Sequence, residues 1–231
     1  MRLSYFSSRV LHNMTQLVLP QDILLEIFQY ITPTDAAYLS RANRAIRALV
    51  MPRALSHVEL GYRRIHDYAH HYPWADGPAS HVESFTSLIL HNPDARYARH
   101  LKSLTLHRTA IVPVACDMAG YAAHVPSLAE VIRSATNLER LDIAMANDLF
   151  KFPPLADAVT EHVGLRSLRL AFVGMQALSL LPRMKAPLQE LALEHLLDPF
   201  DFACLSAHTD TLAVLRIKNH TTIRQIGRAH V

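Results

Sequence analysis

The sequence predicts an α/β fold: an N-terminal helical hairpin followed by a curved array of strand-and-helix repeats, with a parallel sheet on the concave face. Residues 17–52 carry apolar side chains at helical spacing, and prolines stand near both ends of this segment. A short leucine motif then recurs five times, with intervening segments long enough for a returning helix. Half of the 231 residues are hydrophobic, which is enough for a small unit beside a larger core.

The first predicted helix follows Pro20, which suits a helix start because the N–H group that proline lacks would have no partner there. Three isoleucines then recur at intervals of four residues and are expected to share one face. Two further apolar residues lie beside them, so the apolar surface is wider than the single stripe of a surface helix. These five positions are Ile23, Leu24, Ile27, Phe28 and Ile31.

A second helix is predicted from Pro33 to Pro52. Thr32 is expected to cap its N-terminus, because a threonine side chain accepts a backbone hydrogen bond there, and Asp35 follows three residues later. Apolar residues recur at helical spacing along the segment until Pro52 ends the pattern.

The hairpin is small, and chains below about 40 residues usually need a further partner for stability. It nevertheless carries apolar residues on more than one side. One side is expected to pack on the rest of the chain. The other would be exposed unless a second protein covered it, and exposed apolar patches mark interaction sites.

This segment resembles the F-box. The resemblance rests on the pair Leu19–Pro20, on the apolar helix after it, and on a set of residues in the second helix: Asp35, Leu39, Ser40, Asn43, Arg44, Arg47 and Leu49. Many F-boxes have a tryptophan where this chain has Ile46, which preserves burial with less aromatic area. The resemblance implies docking on a Skp-type adaptor of a cullin-based ubiquitin ligase. The adaptor-binding residues that it implies are Leu19, Pro20, Ile23, Leu24, Ile27, Phe28, Ile31, Leu39 and Ile46.

The repeated motif is Leu-x-x-Leu-x-(Leu/Ile). Three of its four intervals fall within the roughly 20–29 residues typical of leucine-rich repeats, and the longer first interval contains an insertion around Ile111–Val125. A weaker strand at His57–Leu60 and a helix at Ser84–Leu90 are predicted before the first copy. The copies begin at Leu101, Leu138, Leu165, Leu188 and Leu212.

Each motif is expected to form a short strand whose leucines point into a shared core, while the segments between motifs return as helices or irregular turns, for example at 127–135, 154–162 and 202–207. The asparagine that often follows such motifs is missing, which predicts an irregular arc. The other strand positions face the concave side and form a surface of mixed charge that suits a protein partner. Its candidate substrate-binding residues are Thr105, His107, Arg140, Asp142, Arg169, Glu190, Glu194, Arg216 and Lys218.

Patterns typical of catalysis and of metal binding are missing from the sequence. His66 and His70 are four residues apart and His71 adjoins, but no His-Glu-x-x-His motif or recognised third ligand accompanies them. Cys116 and Cys204 lie far apart and are expected to be buried thiols in a reducing compartment. We therefore expect no catalytic residue, no metal and no cofactor.

The two ends of the chain are expected to lie outside the fold. Ile226–Val231 matches one reading frame of a common sequencing-adapter oligonucleotide, which predicts a non-native tail, and either Met1 or Met14 would be the true start. The expected division is a leader at 1–16, the F-box at 17–52, a linker and first irregular repeat at 53–100, leucine-rich repeats at 101–224 and the tail at 225–231.

The whole pattern resembles fungal-type F-box proteins with irregular leucine-rich repeats. That resemblance implies a non-catalytic, cytoplasmic or nuclear substrate-recognition subunit of an SCF-type ubiquitin ligase, which binds the adaptor and cullin scaffold through the box and a protein substrate through the repeats. No membrane partner is expected. Nucleic acid is not expected either, because the basic residues behind the net charge of +3 are scattered. The alternatives are a repeat scaffold with a non-functional box, an RNA-associated repeat protein and a metal-dependent hydrolase.

Overall fold

The computed structural model describes residues 19–61, 78–91, 97–107 and 118–218. The chain divides into two compact units, called here the helical unit (residues 1–54) and the sheet unit (residues 55–231). The predicted leader and tail, the histidines at 66, 70 and 71, and Cys116 lie outside the described residues. No helix among the described residues has the length and apolarity that crossing a membrane requires.

Three helices form the described part of the helical unit: α1 (Gln21–Tyr30), α2 (Pro33–Leu39) and α3 (Arg44–Ala54). Its small core is built on Phe28, Ala36 and Val50, one residue from each helix. Helices of this length are marginal by themselves, so these apolar contacts are what stabilise them. Partly buried side chains complete the core: Leu24, Ile31, Leu39, Ile46, Leu49 and Ala54.

The predicted cap of α2 is confirmed. The hydroxyl oxygen of Thr32 accepts a hydrogen bond from the backbone N–H of Asp35 at 3.1 Å. The same hydroxyl donates to the Asp35 carboxylate at 2.7 Å. Pro33 occupies the start of the helix, where its missing N–H group costs no hydrogen bond.

The prediction of one continuous helix from Pro33 to Pro52 is wrong. Helix α2 ends at Leu39, a turn follows at residues 40–42, and α3 begins at Arg44. The Asn43 side chain accepts a hydrogen bond from the backbone N–H of Ile46 at 2.9 Å, so it caps the new helix. At the other end, α3 continues through Pro52 to Ala54, because a proline in the last turn removes a single backbone hydrogen bond.

The expectation that Ile31 shares a face with Ile23 and Ile27 is also wrong. Ile31 follows the end of α1 in an extended conformation, with φ −76° and ψ 151°, and its side chain packs on the small core. The guanidinium Nε of Arg53 donates a hydrogen bond to the Ile31 carbonyl at 3.0 Å. The chain stays extended at the next position because a residue before proline avoids the helical region.

In the described part of the sheet unit, six strands form one parallel sheet and follow each other in chain order. This confirms the α/β class with a parallel sheet. The strand predicted at His57–Leu60 joins as the first of the six, paired with the first motif. The strands are β1 (His57–Leu60), β2 (Ser103–Leu106), β3 (Arg140–Ile143), β4 (Ser167–Val173), β5 (Glu190–Leu196) and β6 (Val214–Lys218).

Helical segments connect the strands, as parallel neighbours require. The predicted helices at 84–90, 127–135 and 154–162 fall within longer or shifted helices, and the return at 202–207 is a 3₁₀ helix. The helices are α4 (Pro78–Leu90), α5 (Met118–Ser134), α6 (Ala146–Leu149), α7 (Pro153–Glu161) and α8 (Met175–Leu178), with 3₁₀ helices at Ala98–His100, Leu181–Arg183 and Phe202–His208. Helix α5 thus begins inside the expected insertion and contains Pro126.

The motif leucines form the core of the sheet unit, as predicted, in all motifs but the last. In the first four motifs every motif Leu or Ile is at most 1% exposed. In β6, which pairs with β5, the residues Leu215 and Ile217 remain 37% and 38% exposed. Strand register aligns them with buried Leu191 and Leu193, so they lie on the core side of the sheet as predicted, but no described element beyond β6 covers them.

Two buried histidines connect segments that precede neighbouring strands. The Nε2 atom of His162 lies 3.0 Å from the carbonyl oxygen of Ala135, and its Nδ1 atom accepts a hydrogen bond from the Gly164 N–H at 3.2 Å. The Nε2 atom of His208 lies 2.8 Å from the carbonyl oxygen of Leu181. Each ring therefore adds a second hydrogen bond to a carbonyl that also accepts a backbone N–H, from Leu138 in the first case and from Met184 in the second.

Candidate functional site

An apolar patch lies on α1 of the helical unit and consists of Leu19, Ile23, Ile27 and Tyr30. Their exposed fractions are 37%, 42%, 46% and 82%. The last three lie at positions i, i+4 and i+7 and so share one helix face, while Leu19 precedes the helix. Four large apolar residues at this spacing form an exposed hydrophobic surface, which is typical of a protein interface.

The structure separates the predicted adaptor-binding residues into two groups. Leu19, Pro20, Ile23 and Ile27 are exposed. The remaining five belong to the small core of the helical unit and hold its helices together: Leu24, Phe28, Ile31, Leu39 and Ile46. Exposed Tyr30 was not among the predicted residues, although its helical spacing from Ile23 and Ile27 could have indicated it.

The second candidate surface is one face of the six-stranded sheet, called here the sheet face. Strand register places its residues in rows that cross the strands. One row contains Glu59, Thr105, Asp142, Arg169, Ala192 and Arg216, and a neighbouring row contains His57, Ser103, Arg140, Ser167 and Glu190. Side chains on neighbouring parallel strands lie close together, since the strands are about 4.8 Å apart.

These rows line a groove of about 550 Å³ that spans all six strands. Eight of the nine predicted substrate-binding residues line it: Thr105, Arg140, Asp142, Arg169, Glu190, Glu194, Arg216 and Lys218. The ninth, His107, lies beside the groove, where its Nε2 atom is 3.4 Å from a carboxylate oxygen of Glu59. The sequence prediction thus identified residues that the fold brings together on one surface.

Arg169 is the centre of a charge network on the sheet face. Its guanidinium lies 3.3 Å from the carboxylate of Asp142 and 3.0 Å from the carboxylate of Glu194. The ammonium of Lys218 approaches the same Glu194 at 3.3 Å. Shared charge-assisted hydrogen bonds and ion pairs thus fix the charged groups of four neighbouring strands, β3 to β6, relative to one another.

The two carboxyls of this network have pKa values shifted in opposite directions. Burial raises the pKa of the Asp142 carboxyl, and the nearby positive charge of Arg169 offsets part of that rise. Burial also acts to raise the pKa of Glu194, but hydrogen bonds and charge from Arg169 and Lys218 bring it below its ordinary value. The hydrogen bond to Glu194 in turn raises the pKa of Arg169. Glu194 is therefore the more firmly ionised of the two.

A second pair lies along the same surface. The guanidinium of Arg216 is 2.7 Å from one carboxylate oxygen of Glu190, and the Ser167 hydroxyl donates to the other oxygen at 3.1 Å. The carboxylates of Glu190 and Glu194 are thus engaged within the sheet face, which makes the face a fixed pattern of paired charges rather than a uniformly charged surface.

The sequence did not identify the three groove residues of β1, which are His57, Val58 and Glu59. The strand itself was predicted, but its sequence lacks the full leucine motif, so its outward positions were not included in the site. Side chains alternate between the two faces of a strand. Because Leu60 is buried, its neighbour Glu59 is expected on the opposite face, which is the sheet face.

The described residues contain no group of three or more histidine, cysteine, aspartate or glutamate side chains that could hold a metal ion. Cys204 is partly buried, and burial raises the pKa of its thiol, which is the opposite of what a reactive cysteine needs. The groove on the sheet face is also more polar than a typical small-molecule pocket, because charged side chains from several strands line it.

Comparison with known protein families found no family model that matches the chain, and none of the curated proteins compared with it matches either.

Proposed function

We propose that this protein is the substrate-recognition subunit of an SCF-type cullin ubiquitin ligase. In this proposal, residues 17–52 are an F-box that binds a Skp-type adaptor, and the sheet unit is an irregular leucine-rich-repeat solenoid that binds a protein substrate. The observation that carries the proposal is the apolar patch of Leu19, Ile23, Ile27 and Tyr30 on a helical unit that already has its own core.

The apolar patch supports an adaptor-binding role because its residues contribute little to the core of their own unit. Phe28 and its neighbours form that core, while Ile23 and Ile27 remain more than a third exposed. Exposing such residues to water is unfavourable by about 25 cal/mol per Å² of apolar surface, and a partner that covers them recovers this free energy. Leu19 and Pro20 extend the patch to the start of α1.

The sheet unit supports a substrate-binding role through its regular strand spacing. The leucine motifs of β2 to β5 form one buried layer, and the residues between them contribute to the polar sheet face. An arrangement of stacked strand-and-helix repeats presents an extended surface, which suits a protein partner better than a small molecule. Proximity of that partner to the ubiquitin-carrying enzyme would supply the catalytic effect, so the chain itself needs no catalytic residue. The proposal places this role in the cytoplasm or nucleus.

Co-purification with a Skp-type adaptor tests the proposal. We expect the native chain to form a stable one-to-one complex with the adaptor. Ile27→Asp and the double substitution Leu19→Ala/Pro20→Ala should abolish or strongly weaken it, because they place a charge in the patch or remove its edge. Val163→Asp is the matched control, since Val163 is 68% exposed in the sheet unit.

Failure of the native chain to bind the adaptor would refute the ligase role and favour a repeat scaffold with a non-functional box. Equal loss of binding in the Val163→Asp control would show that the effect does not depend on the apolar patch. Circular dichroism of each variant establishes that the chain is still folded.

A further inference from the structure

Arg140 lies on the sheet face between two residues with short side chains. Strand register places it between Ser103 of β2 and Ser167 of β4. Serine side chains are too short to cover a guanidinium, and Arg140 is exposed. The end of its side chain is therefore open to a ligand that enters the groove.

Arg140 differs from the other cations of the sheet face in its pairing. Arg169, Arg216 and Lys218 each lie within 3.3 Å of a carboxylate. Arg140 forms no ion pair with any residue of the ranges that the structure describes. Its charge is thus available to an incoming anion, whereas the other three would have to give up an existing partner.

A hollow of about 390 Å³ adjoins the groove at Arg140 and shares His57, Ser103 and Ser167 with it. Lys102 and Arg166 also line this hollow and, within the described part of the chain, form no ion pair. The carboxylates of Glu139 and Glu190 line it as well, but Glu190 is already paired with Arg216. Glu139 is therefore the one carboxylate lining this described hollow that could offset the charges of Lys102, Arg140 and Arg166. The hollow therefore has an excess of positive charge and room for one side chain.

We propose that Arg140, flanked by Lys102 and Arg166, binds an anionic side chain of an extended peptide that lies in the groove of the sheet face. A carboxylate or a phosphoester meets the same requirement, because either accepts two parallel hydrogen bonds from a guanidinium. This inference names the chemistry of the substrate assumed in the proposed function and rests on it in that respect.

The rest of the groove favours a peptide over a nucleic acid. The carboxylates of Asp142, Glu190 and Glu194 line it, and they would repel a continuous phosphate backbone. No Phe, Tyr or Trp lines the described groove to provide a stacking platform for bases. A peptide with one anionic residue and otherwise polar or opposite charges matches this pattern better.

Fluorescence anisotropy of the full chain with labelled peptide pools tests the inference. Three pools carry one fixed residue, either glutamate, phosphoserine or serine, between degenerate uncharged positions, and a single-stranded RNA oligomer forms a fourth probe. We expect at least one anionic pool to bind about tenfold more tightly than the serine pool, which corresponds to ~1.4 kcal/mol. Arg140→Gln should remove this preference. Arg183→Gln, which removes an exposed arginine paired with Asp157, is the matched control and should retain it.

Binding by the glutamate pool, by the phosphoserine pool or by both supports the inference and identifies the source of the anion. Equal binding of all three pools, or a preference that survives Arg140→Gln, overturns it. Tighter binding of the RNA than of any peptide pool also overturns it, in favour of a nucleic-acid partner. The measurement needs no adaptor, so its result and the adaptor co-purification can fail independently of each other.

Discussion

The helical unit and the sheet unit use their apolar residues differently. In the sheet unit, the Leu and Ile residues of the first four motifs are at most 1% exposed, and the surface between them is polar. In the helical unit, Phe28 is buried one position from exposed Ile27 on the same short helix. The apolar residues of these four motifs thus all contribute to the core of the sheet unit, whereas those of α1 are divided between a core and an exposed surface. An exposed apolar surface of this kind is what the proposed adaptor-binding role of α1 requires.

Truncation of a core leucine tests this comparison with the largest expected effect. Leu141→Ala should lower the free energy of unfolding by about 2–5 kcal/mol, because it removes a fully buried side chain and leaves a cavity. Ile27→Ala, the matched truncation in the apolar patch, should change it by less than about 0.5 kcal/mol. Urea denaturation followed by circular dichroism measures both. Equal losses would show that Ile27 is as important to folding as Leu141.

Removal of a buried histidine of the sheet unit has the next largest expected effect. His162→Ala should cost about 1–3 kcal/mol, because the Gly164 N–H would lose its acceptor and the Ala135 carbonyl would lose one of its two donors. His91→Ala, which alters an exposed residue at the end of α4, is the control. If both variants unfold at the same urea concentration as the native chain, the sheet unit depends on its leucines and not on these hydrogen bonds.

Loss of the cap of α2 tests the helical unit with a smaller effect. Thr32→Ala should lower the stability of the unit by about 0.5–2 kcal/mol, because the Asp35 N–H loses its acceptor. Amide hydrogen exchange within α2, followed by mass spectrometry, should become faster in this variant and stay unchanged in Thr34→Ala. Unchanged exchange in Thr32→Ala would indicate that packing on Phe28 holds α2 without its cap.

The pH dependence of the charge network gives the smallest expected effect. The folded protein holds the pKa of Glu194 below its ordinary value, so the ionised carboxylate contributes stability above the unfolded pKa. This contribution is lost as the pH falls through the lowered pKa. The native chain should therefore lose more stability than Glu194→Gln between about pH 5 and pH 3. Thermal melts across this range measure the difference, and parallel curves would contradict the prediction.

The strands were the most predictable part of the fold. Five leucine motifs and the strand at His57–Leu60 supplied all six strands, because a buried leucine layer leaves a strict pattern in the sequence. The break between α2 and α3 was missed, since the apolar spacing continues through it and the signal lies in the capping side chain of Asn43. Pro52 suggested a helix end that the structure does not have, because a proline in the last helical turn is tolerated and α3 continues to Ala54.

The candidate surfaces were predictable to different degrees. Alternation along a strand assigns each residue to one face, so the residues of the sheet face could be identified from the sequence. Their pairing could not, because the partners of Arg169 lie on the two neighbouring strands, 27 and 25 residues away, and contact between them depends on the strand register. On α1, periodicity alone did not distinguish exposed Ile27 from buried Phe28, since that distinction depends on where α2 and α3 pack.

The consecutive order of the six strands has a consequence for how the sheet unit forms and changes. Each inner strand pairs with the strands that precede and follow it in the chain, so every strand can add to an edge that the previous one has just completed. Folding can therefore propagate along the sheet from any formed pair. The same order allows duplication of one strand with its connecting helix to lengthen the sheet without disturbing the strands already in place. The row of side chains around Arg140 could then gain new neighbours while the leucine layer beneath it stayed the same.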